Sequence, residues 1–549
     1  MKDLVVLVAV LTVLFALRWC FLPHGRLPRF RVAYTRLRLR LRLHPGRGHA
    51  TLWELWLRWG RLATFRRSGR SRRSLPAAKR LLRPDEHSLQ LGHAHYGHRL
   101  RIPVEEHALV MAPPRTGKTA LLARLILHYP GPVVSTTTKA DVFELTSGIR
   151  ARRGPVRVFN PQAIGGVLST FRWNPIDGCE DEAIAIRRAD GFANAVSVNG
   201  IEEASFWSSK ASSYLRALFH AAALAAGDMR LVVHWALGDA QDAEEILAEA
   251  GAIQWALELG ELRGEAQRTA ATIKMVLSRA LAFMNDPKLM EAVLPDGNAS
   301  FDIATFLRQS GTLYLIAESE HDDSPVAPLF AAMASEIHHV AAQLGQANPG
   351  GRLDPPLLMA LDEIVQTCPV PLPTWLADSG GKGIQLIPVA HGEAQLRTRW
   401  GDDGAQVVLD TCGVKIWLPG ISDTTTLKMA SELCGQAALR ERGQRYHSRH
   451  DIMTPDMIRQ LPAGHALIVR GGYSPVVARL GVAWKDRAYR AARRRGCAVA
   501  ALTPAPEPSA LVDAQVAGPS WPDAPLHYPS DRTSDPADLG TGTGDYPWS

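Results

Sequence analysis

Two short runs in this chain have the residue types and spacing that phosphate chemistry needs. The first is Ala112, Pro113, Pro114, Arg115, Thr116, Gly117, Lys118 and Thr119. An apolar run at 108–111 (ALVM) precedes it and a helical pattern over 120–128 follows, the strand, loop and helix order of a phosphate-binding P-loop. In such a loop, successive backbone N–H groups and the helix N-terminus surround phosphate oxygens. Lys118 would place a point charge on them, and the Thr119 hydroxyl would coordinate Mg²⁺. Ala112 stands where the strict motif has glycine. If that position needs φ > 0, alanine costs about 1 kcal/mol, and otherwise the change is nearly neutral. The second run, at 355–363 (PPLLMALDE), is an apolar strand ending in two carboxylates about 240 residues later. Asp362 would hold the metal's water shell, and Glu363 would orient or deprotonate the attacking water. An acidic pair can also simply cap a following helix, but the two runs together, in this order, point to ATP or GTP hydrolysis.

The elements between and around these runs must bring them together. Further strand-like runs occur at 312–317 (TLYLIA), 384–389, 413–418 and 466–469, which predicts a mostly parallel sheet with intervening helices. Residues 181–300 are different: apart from a short strand-like run at 231–233, they read as Ala-rich helices over 208–226, 240–262 and 266–284, an all-α insertion.

At 549 residues the chain is long enough for several domains, which excludes a small stapled scaffold or a wholly disordered protein. Its net charge of +8 is unevenly placed. Residues 18–83 hold 19 basic residues against Glu54 alone, a local +18, whereas from 84 onward 42 basic residues meet 52 acidic ones, net −10. Six scattered cysteines with no C-x-x-C spacing read as reduced thiols.

Residues 4–22 are apolar but for Thr12 and Arg18, long enough to span a bilayer if Arg18 snorkels. The Arg-rich stretch that follows resists translocation and predicts a single-pass signal anchor with the bulk of the chain cytoplasmic. Arg and Leu alternate over 36–42, setting guanidinium groups on one face suited to anionic lipid. Leu52, Leu55, Trp56, Trp59 and Leu62 recur at helical spacing among arginines, the pattern of an interfacial helix, though such stripes also pack on protein cores. His93, His95 and His98 lack a completing ligand nearby and read as a solvated strand. From Pro504 onward, nine prolines and seven acids against Arg532 alone read as a disordered acidic tail.

Taken together, APPRTGKT at 112–119, FWSSKASSYLRAL at 206–218, LLMALDEI at 357–364 and the run 372–401 resemble the coupling proteins of type IV secretion systems, the TraG/TraD-like conjugation ATPases. The segment HPGRGHATLWELWLRWGRL at 44–62 is similar to that of actinobacterial members. The resemblance implies an α/β, RecA-like P-loop ATPase domain with an inserted all-α domain and an N-terminal membrane anchor. It implies the cofactors ATP and Mg²⁺, a homohexamer, and delivery of a relaxase-bound DNA strand to the secretion channel proteins. Lys118 and Thr119 would then take the phosphate and Mg²⁺ roles, Asp362 the metal role and Glu363 the role of catalytic base. Lys382 sits where the family often has an arginine that reaches a neighbouring subunit's nucleotide, and His391 where it usually has a glutamine that senses the γ-phosphate; alternatively Gln395 performs that task or His391 is structural. The expected division is an anchor at 1–22, a basic collar at 23–88, the ATPase domain at 89–180 and 301–503 around the insertion at 181–300, and the tail at 504–549. An FtsK-like DNA translocase and a non-hydrolysing membrane-tethered adaptor are the alternatives.

Overall fold

The computed structural model describes residues 48–94, 97–196, 204–264, 267–294, 301–318, 324–440 and 447–502. The expected anchor, the Arg-Leu alternation, His95 and the acidic tail lie outside these residues. Among the described residues, no helix is long and apolar enough to cross a membrane.

Among the described residues, thirteen strands form in chain order: β1 (Ser88–Ala94), β2 (Arg99–Pro103), β3 (Ala108–Met111), β4 (Val133–Thr137), β5 (Val156–Phe159), β6 (Thr312–Ile316), β7 (Leu357–Leu361), β8 (Ile384–Ala390), β9 (Val414–Trp417), β10 (Gln436–Arg440), β11 (His447–Asp451), β12 (His465–Arg470) and β13 (Val476–Leu480). Eleven of them make one sheet in the order β2-β1-β13-β12-β9-β3-β8-β7-β4-β6-β5, while β10 and β11 pair separately. From β9 to β5 all neighbours are parallel, and from β12 to β2 all are antiparallel. The parallel half holds the expected runs at 108–111, 312–317, 357–361, 384–389 and 413–418 and adds β4 and β5, whereas the run 466–469, expected in the same mostly parallel sheet, is β12 and pairs antiparallel with both neighbours. Its strands are nearly continuous runs of Val, Ile and Leu because helices cover both faces, and β3, β4, β6, β7 and β8 are buried at every position.

Strand alternation divides the core. Leu109, Met111, Leu357, Met359 and Leu361 join one apolar cluster, whereas Ala108, Val110, Leu358 and Ala360 join another. The second cluster takes in Leu121, Leu122, Leu125 and Ile126 of α1 (Lys118–His128) and Val142 and Phe143 of α2 (Asp141–Arg150). The first continues into a helical region built from α3 (Glu182–Ala193), α4 (Ala204–Leu224), α5 (Met229–Leu237), α6 (Gln241–Glu249), α7 (Ile253–Gly264) and α8 (Gln267–Ala280). α3 lies against α9 (Ala327–Gln346) so closely that a Cβ on Gly191 would stand 2.7 Å from the Cα of Ala332. The buried pair Arg188–Glu336, at 3.3 Å, joins the same two helices, and Arg188 also donates to the Pro175 carbonyl at 2.9 Å.

Three local expectations are corrected. The run 231–233 lies within α5, because Asp228 caps the helix N-terminus and Val232 and Trp235 turn inward at helical spacing. The single helix expected over 240–262 is two, broken by Gly251 in a left-handed conformation (φ 85). The tryptophan-rich segment is also interrupted: a short helix (Leu52–Glu54) runs into a π-helical turn (Leu55–Trp59), and Gly60 in extended conformation separates it from the helix Arg61–Ser71. Its apolar positions divide as well, with Leu55 and Trp59 buried in the protein and Trp53 and Trp56 exposed.

The parallel half depends on one fully buried guanidinium. Arg150, at the end of α2, donates to the Thr312 hydroxyl at 2.7 Å and to the carbonyls of Tyr129 and Gly131 at 2.6 and 2.7 Å, tying the approach to β4 to the start of β6. Arg150→Met should therefore destabilise the fold by about 3 kcal/mol, roughly 1 kcal/mol for each buried acceptor left without a donor. A clear fall in the thermal unfolding midpoint is the expected reading, and an unchanged midpoint would show that the clamp is dispensable.

Candidate nucleotide site

Three neighbouring strands, β3, β8 and β7, end side by side and deliver the chemistry. β3 leads into the P-loop, β8 into His391, and β7 into Asp362 and Glu363. Parallel pairing puts all three C-terminal ends on one edge of the sheet, where ligands of open α/β sheets bind. Residues 279 apart in sequence thereby touch: His391 Nδ1 lies 3.0 Å from the Ala112 carbonyl oxygen.

Ala112 is fully buried, and its N–H donates to the Ala390 carbonyl at 2.9 Å, continuing the β3–β8 ladder. It does not adopt a positive φ. The left-handed positions of the loop are Arg115 (φ 64) and Gly117 (φ 98), so alanine in place of the first glycine is the nearly neutral case. Thr116 donates its hydroxyl to the Pro113 carbonyl at 2.7 Å and closes the loop. Gly117 starts α1 with no side-chain cap, which leaves the first-turn N–H groups of Lys118 and Thr119 for an anion.

Lys118 forms ion pairs with both carboxylates, at 3.6 Å to Asp362 Oδ1 and more closely to Glu363 Oε1. Asp362 is 3% exposed, and burial, reinforced by Glu363 and opposed by Lys118, pushes its carboxyl up to about 6. Glu363 adopts φ 48, a left-handed conformation that costs a non-glycine residue of order 1 kcal/mol and that recurs at functional sites. This turn is pinned from two sides: Thr136, near the end of β4, donates to the Asp362 carbonyl at 3.0 Å, and Thr367 to the same carbonyl at 2.8 Å. Nothing in the sequence reading marked these two threonines. The only cue, the run Ser135-Thr136-Thr137-Thr138, gains meaning once β4 is known to lie beside β7.

His391 is fixed rather than free. Its backbone N–H donates to Gln395 Oε1 at 2.8 Å, and because a carbonyl oxygen only accepts, ring Nδ1 carries the proton in the bond to Ala112. Nε2 can then donate to a phosphate only when the ring is an imidazolium. Gln395 is thus a positioning residue for His391, and its amide NH₂ remains a possible donor. Lys382 is not brought to this edge. It ends the helix Leu372–Lys382, in an ion pair with Asp378, just before β8 begins, so the seven residues of β8, about 23 Å of strand, separate it from the chain's own P-loop. Among the described residues, no group of histidines, cysteines or acids could hold a metal ion alone. Thr119 and Asp362 instead suit a Mg²⁺ that arrives with phosphate oxygens.

A RecA-like P-loop ATPase fold with an all-α domain is what this sheet, loop and carboxylate pair define. A family model of the TraM recognition site of TraD and TraG matches residues 356–463, and VirD4 of Agrobacterium fabrum is 23% identical over 432 residues, covering 74% of this chain and 62% of that protein. The chain spans less than two thirds of the length of the curated relatives it matches. Among solved structures, the plasmid coupling protein TrwB in complex with the non-hydrolysable GTP analogue GDPNP superposes with a TM-score of 0.54 at 20% identity, covering 71% of this chain and 89% of that one. TrwB in complex with ADP and Mg²⁺ gives 0.53 at 19%, covering 72% and 88%. The chain is thus similar in sequence to VirD4 and similar in fold to TrwB.

With its carboxyl pushed up to about 6 by burial, Asp362 protonates as the pH falls through that value, which would remove its charge from a Mg²⁺ held there. Mg²⁺-dependent nucleotide affinity should therefore weaken between pH 7.5 and 5.5, while Asp362→Asn should bind weakly and with little pH dependence. Titration of a fluorescent ATP analogue with and without Mg²⁺ reads both effects, and an equal pH slope in wild type and variant would exclude Asp362 as the titrating group.

Proposed function

We propose that this chain is a membrane-anchored ATPase that recruits a DNA-relaxase substrate to a type IV secretion channel and drives its transfer by ATP hydrolysis. The observation that carries the reading is the meeting of Lys118, His391, Asp362 and Glu363 at three adjacent parallel strand ends. Lys118 and the first-turn N–H groups of α1 bind the β- and γ-phosphates. Thr119 and Asp362 hold Mg²⁺, which when bound neutralises charge on the phosphate oxygens. Glu363 orients the attacking water and accepts its proton. His391, held on the P-loop by its Nδ1 and on α10 (Glu393–Thr411) through Gln395, is positioned to report on the γ-phosphate. Assembly as a homohexamer, with Lys382 presented towards a neighbouring subunit, extends the reading to the oligomer. The match of residues 356–463 to a TraM recognition site supports a protein of the DNA-processing complex as partner at that segment.

Residues 52–82 support the membrane part. Leu52, Trp53, Trp56, Leu57, Leu81 and Leu82 are exposed, and the Trp53 and Trp56 rings stack 5.5 Å apart. They lie within the strongly basic stretch that follows the expected anchor, and apolar rings amid arginines suit an anionic bilayer surface.

In ATPase assays of the full chain, Lys118→Ala should abolish turnover. Glu363→Gln should lower it about 10²- to 10⁴-fold while nucleotide binding survives. Turnover by Glu363→Gln at the wild-type rate would remove Glu363 from the chemistry. In nanodiscs containing brominated lipid, the variant carrying Trp53→Phe and Trp56→Phe should lose part of the quenchable fluorescence, and an unchanged quenched fraction counts against lipid contact.

A further inference from the structure

Between residue 84 and the acidic tail the chain is net −4, yet one concave surface on it is strongly positive. A cleft of about 820 Å³ lies beyond the antiparallel end of the sheet, lined by Arg124 of α1, Arg479 of β13, Lys485, Asp486, and Arg487 and Arg490 of α11 (Arg487–Arg494). Its acid is already engaged: Asp486 accepts from His128 at 3.0 Å and pairs with Arg124 at 3.6 Å. Burial alone would raise the Asp486 carboxyl, but the His128 hydrogen bond and the charges of His128 and Arg124 draw it down to about 2, so it stays ionised and paired. Arg479, Lys485, Arg487 and Arg490 are exposed, and among the described residues none of them pairs with a carboxylate. The surplus charge is felt locally, since His93 on the cleft wall is held below the ordinary imidazole range first by burial and then by Arg479, Arg99 and Arg124.

Unpaired cations converging on a concavity in an otherwise acidic body repel one another and call for an anion of several charges. A flat bilayer cannot follow a concave wall, whereas a flexible strand of phosphodiesters can. Arg124 stands six residues after Lys118 on one helix, about 9 Å along its axis, so an anion held there bears on the element that carries the P-loop.

We propose that the cleft formed by Arg124, Arg479, Lys485, Arg487 and Arg490 is a contact site for the phosphate backbone of single-stranded DNA and that its occupancy is coupled to the nucleotide site through α1. The choice of DNA as the polyanion rests on the proposed function above. The test uses the full chain in nanodiscs and a fluorescent 20-nucleotide oligo(dT), with anisotropy measured over a range of salt concentrations. In a variant carrying Arg479→Ala, Arg487→Ala and Arg490→Ala, all on exposed positions, affinity should fall. The slope of log K against log salt should shrink by about 2, since each lost single-strand phosphate contact removes about 0.7. DNA-free ATP turnover should persist in this variant, and its stimulation by DNA should be lost. Wild-type affinity, slope and stimulation in the variant would overturn the cleft assignment while leaving the ATPase reading intact. A wild type that binds no strand at all would overturn the cleft assignment together with the DNA part of the proposed function.

Discussion

The backbone hydrogen bonds that run β3, β8, β7 and β4 side by side in parallel are what the candidate site depends on. A parallel ladder sends every strand out of the same edge, so the P-loop, His391, the Asp362–Glu363 pair and Thr136 emerge as neighbours although up to 279 residues separate them in sequence. The ladder can persist only because both faces of the sheet are covered. On one face lie α1 and α2, and the other continues into the helical region through the close approach of Gly191 to Ala332 and the buried Arg188–Glu336 pair. Stability and function are thereby linked: the burial that stabilises β7 also desolvates Asp362 at its end.

Charge placement follows a different logic from the total. The whole chain is basic, but its positive charge is concentrated before residue 84, in the stretch that follows the expected anchor. The acidic remainder holds its cations where geometry uses them. Lys118 lies between two carboxylates, Arg150 and Arg188 satisfy buried carbonyls, and the cluster at the antiparallel end of the sheet keeps unpaired arginines around one engaged acid.

Much of the fold was legible because its signals are local. The runs at 108–111, 312–317, 357–361, 384–389 and 413–418 became strands nearly as read, since long apolar β-rich segments bounded by turns have few other uses. Where the reading failed, tertiary contacts outweighed local pattern. Residues 231–233 look like a strand fragment but lie in a helix whose cap, Asp228, precedes them. The tryptophan stripe reads as one amphipathic face, yet it breaks at Gly60 and divides between core and surface, because Leu55 and Trp59 find a place in the protein and Trp53 and Trp56 do not. The antiparallel end of the sheet went largely unread, because β1, β2 and β13 are held by pairing with partners hundreds of residues away in sequence.

The sequence by itself determined the chemistry on offer: a phosphate loop with its lysine and threonine, and a strand ending in two acids, each a contiguous motif whose residue types admit few other uses. Only the tertiary structure decided which groups meet. It placed His391 on the Ala112 carbonyl with Gln395 behind it, kept Lys382 at the opposite edge from the chain's own P-loop, and moved the left-handed strain of the loop from Ala112 to Arg115. The physical reason is that a motif reports what its side chains can do, whereas distance, burial and backbone conformation are set by strand order and by packing between segments far apart in sequence.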